Sequence, residues 1–175
     1  MALNKITMKT FWLTGLPGAG KSTIAAFMQK KIKEKQPVIW LDGDAVRTGL
    51  CKGLGFSDAD RSENIRRVAE VAKILNTQNI FVICSFVSPN EQLRALARDI
   101  VGEAYREIWV TTPLSECAKR DPKGMYAQAQ KGEIQGFTGI SAPYQEPKNA
   151  EYKIDGYGPW DKTMVEIVSI LEKEN

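Results

Sequence analysis

The sequence predicts an α/β fold, a mainly parallel sheet with helices on both faces, built as a single domain over residues 1–175. Three observations carry this. Short apolar runs alternate with longer stretches of helical period, the pattern of strand–crossover–strand units. Several runs, such as Phe11–Thr14 and Phe81–Cys84, are apolar at successive positions and suit strands covered on both sides. Between the first run and the first helical stretch stands Gly15-Leu16-Pro17-Gly18-Ala19-Gly20-Lys21-Ser22, a glycine-rich turn where an open α/β sheet presents its ligand site. The 175 residues fit one domain with a full core, and 43% hydrophobic and 26% charged residues are ordinary for a globular protein.

Taken in order, Met1 to Lys9 is short and polar, without the apolar run of a leader, and reads as a disordered start. Phe11–Thr14 reads as the first strand, Ile24–Lys33 as the first helix and Val38–Leu41 as the second strand. Ser57-Asp58-Ala59-Asp60 reads as a helix start, with Ser57 as N-cap and acids in the first turn. Ile65, Val68, Ala69, Ala72 and Leu75 give that helix its core face. Phe81–Cys84 is the third strand, and a helix from Asn90 to Ile100 follows it. Ile108–Val110 is the fourth strand and Tyr152–Ile154 a weaker fifth. Pro159 suits the first turn of a last helix whose core stripe is Trp160, Met164, Ile167, Val168 and Leu171. Residues 121–144 hold Gly124, Gly132, Gly136, Gly139 and Pro143 and show no period. A segment of that length is a mobile surface loop or a functional one, and it stands where the lid of a nucleotide kinase would.

Composition removes several function classes. The chain contains no histidine, so any general base is a carboxylate, an amine or a hydroxyl, and Ser-His and Cys-His hydrolases are excluded. Cys51, Cys84 and Cys117 are far apart and form no C-x-x-C pair, which points to reduced thiols in a cytoplasm and away from zinc. No apolar run approaches the ~18 residues of a membrane span. A net charge of +3 is too small to argue for a nucleic-acid partner, and the arginines cluster at one place instead of along a stripe.

The glycine-rich turn matches G-x-x-x-x-G-K-[ST], the phosphate-binding P-loop, with a strand before it and a helix after it. Its backbone N–H groups can wrap a phosphate chain at a helix N-terminus. Lys21 would reach the β- and γ-phosphates, and the Ser22 hydroxyl would ligate Mg²⁺. A nucleoside triphosphate is therefore expected. The third strand ends Ile83-Cys84-Ser85 with no carboxylate, so Asp42 and Asp44 in Leu41-Asp42-Gly43-Asp44 become the leading acids for Mg²⁺ or for an attacking hydroxyl. A capped turn would use the same residues.

Arg47, Arg61, Asn64, Arg66 and Arg67 form a second cluster, in which Arg61 and Asn64 share a helix face and Glu63, Glu70 and Lys73 lie opposite, toward solvent. Arginine suits bidentate contact with phosphate or sulfate oxygens, although a basic helix face is often only a solvated one. Phe56, just ahead of the cap, can stack on a base or act as a hydrophobic staple. Ser88 can donate to a phosphate near the acceptor or serve as N-cap of the helix that follows.

In this order the residues resemble the adenylylsulfate kinase family, which 3′-phosphorylates adenosine 5′-phosphosulfate (APS). The likeness runs from about Phe11 to Asp155. Its segments are the P-loop through Thr23, Leu41–Asp44, Arg47, Leu54–Ser57, Asp60-Arg61 with Glu63–Arg67, Ser88-Pro89, Arg120–Gly124, and Gly136–Ile140 with Ala142-Pro143-Tyr144. The resemblance implies a P-loop nucleoside-kinase-like three-layer fold with a five-stranded, mainly parallel sheet and a lid over about residues 121–144. It implies that Gly15, Leu16, Pro17, Gly18, Ala19, Gly20, Lys21, Ser22 and Thr23 hold the ATP phosphates, with Ser22 on Mg²⁺, and that Cys117 and Arg120 border the ATP base. Asp44 then faces the 3′-hydroxyl with Asp42 supporting that corner, and Arg47, Arg61 and Asn64 bind the phosphosulfate. Phe56 and Phe137 sandwich the adenine of APS, Lys123 approaches the substrates as the lid closes, and Val87 and Ser88 belong to the acceptor site. The family position of Ser88 is described as phosphorylated, a step that direct in-line transfer does not need. A homodimer in the cytoplasm, with no nucleic-acid or membrane partner, completes the implied picture.

The chain departs from the family pattern at Pro17, where Ser is frequent, at Thr48, where His is frequent, and at Asn90-Glu91, where Tyr and Arg commonly follow Ser-Pro. Two other readings are a kinase of the same fold acting on another acceptor, such as a nucleotide phosphoramidate, and a non-catalytic nucleotide-sensing module. The intact Lys21, Ser22, Asp44 and Lys123 argue against the second.

Overall fold

The structure, a computed structural model, describes residues 8–174. The expected disordered start lies outside the described residues up to position 7, and Met8, within it, is buried instead. Strands β1 (Thr10–Thr14), β2 (Val38–Asp42), β3 (Phe81–Ser85), β4 (Tyr105–Val110) and β5 (Tyr152–Ile154) form one sheet in the order β2-β3-β1-β4-β5, with every neighbouring pair parallel. All carboxyl ends therefore lie along one edge, and every crossover is free to carry a helix.

The strands sort their side chains between two layers with period two. Phe11, Leu13, Phe81, Ile83, Ile108 and Val110 enter one cluster with Ile24, Ala25, Met28 and Ile32 of α1 (Lys21–Lys33) and Ile167, Ile170 and Leu171 of α7 (Trp160–Glu174). Trp12, Val82, Cys84 and Tyr105 enter the other, with Ile65, Val68, Ala69 and Ala72 of α3 (Asp58–Thr77) and Leu93, Ala97 and Val101 of α4 (Glu91–Val101). Each large aliphatic side chain so buried contributes roughly 1.5–3 kcal/mol, which is why the central strands carry no polar face. Strand β2 is only half-buried, because it stands at the edge of the sheet.

The caps read from the sequence are made where expected at Ser57, whose hydroxyl accepts from the Asp60 N–H at 3.1 Å. The helix after β3 is capped by Asn90, whose side chain accepts from the Leu93 N–H at 2.9 Å, so Ser88 is not its N-cap. Helix α1 begins at Lys21, one turn before the expected Ile24, because the P-loop feeds straight into it. Strand β4 starts at Tyr105, ahead of the expected Ile108, because Glu107 is buried there with charged partners. A short helix α2 (Gly43–Thr48), capped by Asp42, follows β2. Residues 121–144 are more ordered than a surface loop. After α5 (Leu114–Arg120), α6 (Met125–Gln130) forms, and Tyr126, Ala129 and Phe137 pack into the α1–α7 core. In α7, Thr163 and Ile170 are buried, whereas Trp160, expected in the core stripe, is 40% exposed and meets the Phe27 ring edge-on at 5.9 Å.

The exit of β5 packs against the P-loop with no room for a side chain. A Cβ on Gly156 would collide with the Ala19 carbonyl, with Thr112 Oγ1 and, at 2.7 Å, with Val110 Cγ1. Thermal unfolding of Gly156→Ala is expected to show a loss of about 1–3 kcal/mol from overpacking, a fall in Tm of at least ~2 °C. An unchanged Tm would mean that the strand and the P-loop are not in contact.

Candidate active site

Where the strands end, a cavity of about 980 Å³ opens along the carboxyl edge of the sheet. Loops at parallel strand ends converge there because strand direction is common to all of them. One half is lined by the P-loop, Arg120 and Trp160, the other by Arg47, Phe56, Arg61, Asn64, Val87, Ser88 and Phe137, with Asp42, Asp44 and Lys123 among the residues between.

The P-loop half is built for an anion. Gly20, at φ 101°, adopts the left-handed turn that brings the chain into α1. The helix start has no side-chain cap and no acid in its first turn, unlike α2, α3 and α4, so its first N–H groups remain available to a phosphate. Pro17, Gly18, Gly20, Lys21, Ser22 and Thr23 line the cavity, while Ala19 is fully buried and Gly15 and Leu16 turn carbonyls toward the Lys21 ammonium at 2.9 and 2.7 Å. Burial lowers the Lys21 pKa from 10.5 to about 8, against the opposing attraction of Cys117, Asp42 and Asp44. Arg120 closes this side by donating to the carbonyls of Gly156 at 2.9 Å and Gly18 at 3.4 Å.

Asp42 joins the two halves. Its register partner on β3 is Ser85, so the carboxylate and that hydroxyl lie side by side. Oδ2 accepts from Ser85 Oγ at 2.8 Å and from Ser22 Oγ at 3.0 Å, and Oδ1 accepts from the Asp44 N–H at 3.0 Å. Desolvation alone would raise the Asp42 pKa. The hydrogen bonds from Ser85, Ser22, Asp44 and Ala45 outweigh it and hold the carboxyl below its ordinary value. Asp44, exposed on the first turn of α2, pairs with the Lys123 ammonium from the start of the 121–144 segment.

In the other half, Arg47 donates to the carbonyls of Gly55 at 2.9 Å and Leu54 at 3.3 Å, and Arg61 to those of Phe56 and Gly136, both at 2.9 Å. Both guanidiniums face the Phe56 ring, at 4.3 and 5.6 Å from its centroid. Phe56 is 60% exposed and held by cations, which is not the packing of an apolar staple. Asn64 is only 3% exposed, yet its Oδ1 has no hydrogen-bond partner among the described residues. A buried amide oxygen left in that state costs about 1–3 kcal/mol, and Asn64 lines the cavity. Phe137 lines the same half, packed edge-on against Tyr126 at 5.0 Å, and Tyr126 Oη donates to the Pro17 carbonyl at 2.8 Å.

Two expectations change. Cys117 does not reach the cavity; it is buried beneath the P-loop, its carbonyl 3.3 Å from where a Gly18 Cβ would stand. Arg66 and Arg67 belong to the solvated side of α3, where both pair with Glu63 at 2.7 and 2.8 Å, so Glu63 is not merely solvated. The sequence reading missed Trp160 as a wall of the cavity and Ser85 as a partner of Asp42, held in turn by Trp40 Nε1 at 2.9 Å. The only signal for Ser85 was its place at the end of an acid-free strand.

The sequence model of the family described as adenylylsulphate kinase matches residues 7–155. An adenylyl-sulfate kinase of Pseudomonas aeruginosa is 47% identical over 174 residues, 98% of this chain and 89% of that protein. The solved structure of the Mycobacterium tuberculosis APS kinase in complex with AMPPNP and APS is similar at a TM-score of 0.89 and 43% identity, over 95% of this chain and 98% of that one. A gluconokinase from Sinorhizobium meliloti, at 13% identity and a TM-score of 0.65 over 97% of this chain and 94% of that one, shares the fold alone.

The lowered Lys21 pKa gives a pH dependence of definite sign. Between about pH 8 and 10.5 the unfolded chain holds a proton that the folded chain lacks, so this group's contribution to stability rises with pH across that window. A bound triphosphate favours the charged ammonium. Calorimetry is therefore expected to show proton uptake on nucleotide binding above about pH 8 and an affinity that weakens as pH rises further. Lys21→Arg should abolish the uptake, and pH-independent binding by the unsubstituted chain would place the ammonium elsewhere.

Proposed function

We propose residue roles for the two halves of the cavity from one premise: the chain belongs to the adenylylsulfate kinase family. It is a kinase that transfers the γ-phosphoryl group of ATP to the 3′-hydroxyl of APS, giving 3′-phosphoadenosine 5′-phosphosulfate and ADP in sulfate activation. One observation carries the division of roles. An uncapped P-loop helix and a ring flanked by two guanidiniums open into one cavity, and a single carboxylate, Asp42, hydrogen-bonds to the start of each side.

The P-loop and α1 hold the ATP phosphates, with Lys21 on the β- and γ-phosphates, and Arg120 borders the base; Cys117 supports that wall from beneath. Ser22 Oγ and the Asp42 carboxylate, 3.0 Å apart, fit a magnesium ion, which takes hard oxygen donors. Ser22 would hold the ion, with Asp42 orienting the serine hydroxyl. Bound with ATP, Mg²⁺ offsets charge on the transferring group.

Phe56 and Phe137 hold the adenine of APS, and Val87 and Ser88 line its site. Arg47 and Arg61 spend only part of their five donors each on backbone carbonyls and direct the rest at the phosphosulfate, with Asn64 beside them. Asp44 orients the 3′-hydroxyl. As a carboxylate it is a weak base for an alcohol and takes the proton late, which suits a loose transition state that needs alignment more than deprotonation. Lys123, paired with Asp44, brings a cation to the same corner. Residues 121–144 act as the lid over this single domain. Tyr126–Pro17 and Arg61–Gly136 contacts tie it to both halves, and its closure excludes water. Ser88 lines the acceptor site, and direct in-line transfer needs no covalent intermediate on it. The reading extends to a homodimer, the assembly that the family resemblance implies, and to the cytoplasm, where the buried free thiols of Cys51, Cys84 and Cys117 would stay reduced.

A coupled ADP-release assay tests the reading: ADP should appear only with APS present, and APS-independent release at the same rate contradicts it. Asp44→Asn should lower kcat roughly 10²-fold or more. Arg61→Ala should raise the KM for APS about tenfold and leave the KM for ATP nearly unchanged, the cost of one charge-assisted contact. A rise in the KM for ATP alone would move Arg61 to the other nucleotide.

A further inference from the structure

The wall formed by Val87 and Ser88 is a backbone corner that does not hold itself. Ser88 has φ 43°, a left-handed conformation that costs a non-glycine residue of order 1–3 kcal/mol unless its surroundings impose it. Three side chains do so. Thr14 Oγ1 donates to the Val87 carbonyl at 2.7 Å and stands 3.4 Å from that of Ser88. Trp12 Nε1 donates to Ser88 Oγ at 3.0 Å. Arg94, from the second turn of α4, donates through NH1 to the Ser88 carbonyl at 3.0 Å. Arg94 is only 4% exposed, and a guanidinium so deep in an apolar layer needs a counter-ion. Glu107, 5% exposed, lies 3.4 Å from its Nε, and is itself held by the Tyr105 hydroxyl at 3.3 Å and by Arg98 at 3.6 Å. The same corner receives the end of the 121–144 segment: Tyr144 Oη lies 3.0 Å from Thr14 Oγ1, and the N–H of the next residue, Gln145, donates to the Pro89 carbonyl at 2.8 Å.

We propose that Arg94 is a positioning residue for phosphoryl transfer: anchored by Glu107, it pins the Ser88 carbonyl and so fixes the Val87–Ser88 wall against the acceptor nucleotide. A buried ion pair adds little stability over an apolar pair of the same size, so stability alone gives this one no purpose in the core. Its fork geometry does: one edge meets a carboxylate and another a carbonyl, and a lysine ammonium lacks that fork. The inference rests on the reading that Val87 and Ser88 belong to the APS half.

Steady-state kinetics on two variants test it. Arg94→Met with Glu107→Gln removes the pin without leaving a lone buried charge, and Arg94→Lys keeps the charge while losing the fork. We expect kcat/KM for APS to fall about tenfold or more in the first and by an intermediate factor in the second, with the KM for ATP within about twofold of the starting enzyme. A merely structural ion pair would lower Tm without that split. Unchanged kcat/KM for APS, or a rise in the KM for ATP as large as that for APS, overturns the proposal while leaving the APS reading to the Arg61 result. A loss confined to ATP overturns the reading of the wall itself. If the double variant does not fold, Arg94→Lys decides by the same criterion.

Discussion

The site depends on one carboxylate shared by several donors. Asp42 accepts from Ser22, Ser85 and the Asp44 N–H, and each bond fixes a different part of the molecule. The Ser22 bond orients the hydroxyl that the P-loop presents at the start of α1. The Ser85 bond ties the edge strand β2 to β3, and the Asp44 bond caps α2 and aims its first turn at the cavity. The parallel sheet makes the convergence geometrically available, because only strands running the same way end at the same edge. The hydrogen bonds hold the Asp42 carboxyl below its ordinary value despite partial burial, which favours the charged form opposite Lys21.

The parts legible in the sequence are those whose physics is local. The P-loop announces itself because its glycines, lysine and serine are needed at fixed spacing. The central strands do so because burial on both faces leaves an unbroken apolar run, and the Ser57 cap because its partner is three residues away. What was not legible rests on partners distant in sequence. The first half of β4, Tyr105-Arg106-Glu107, carries no apolar run and lies ahead of the expected start at Ile108; the burial of Glu107 depends on Arg94 from α4. Helix α2 is too short for a period. The 121–144 segment is anchored by isolated residues, Tyr126 and Phe137, that make no pattern. Trp160 fits a helical stripe, but period alone does not distinguish a core wall from a cavity wall. Cys117, placed at the ATP base by the family resemblance alone, lies buried beneath the P-loop.

Function costs this fold stability at identifiable places. Lys21 is charged where burial disfavours the charge, the Asn64 Oδ1 is buried without a donor among the described residues, and Ser88 holds a left-handed backbone. Each is a cost that a ligand contact or a neighbouring side chain offsets, and together they amount to several kcal/mol against a typical domain stability of about 5–15 kcal/mol. The apolar layers on either side of the sheet supply the surplus that makes such a site tolerable.

The central claim, for the ATP half of the site, is that Asp42 acts through Ser22. A double-mutant cycle between Ser22→Ala and Asp42→Asn, read in kcat/KM for ATP, tests it most directly. The account predicts strong coupling, with the second substitution costing at least about 1 kcal/mol less in the presence of the first. Effects that add to within roughly 0.5 kcal/mol would show that the two residues act separately and would contradict it.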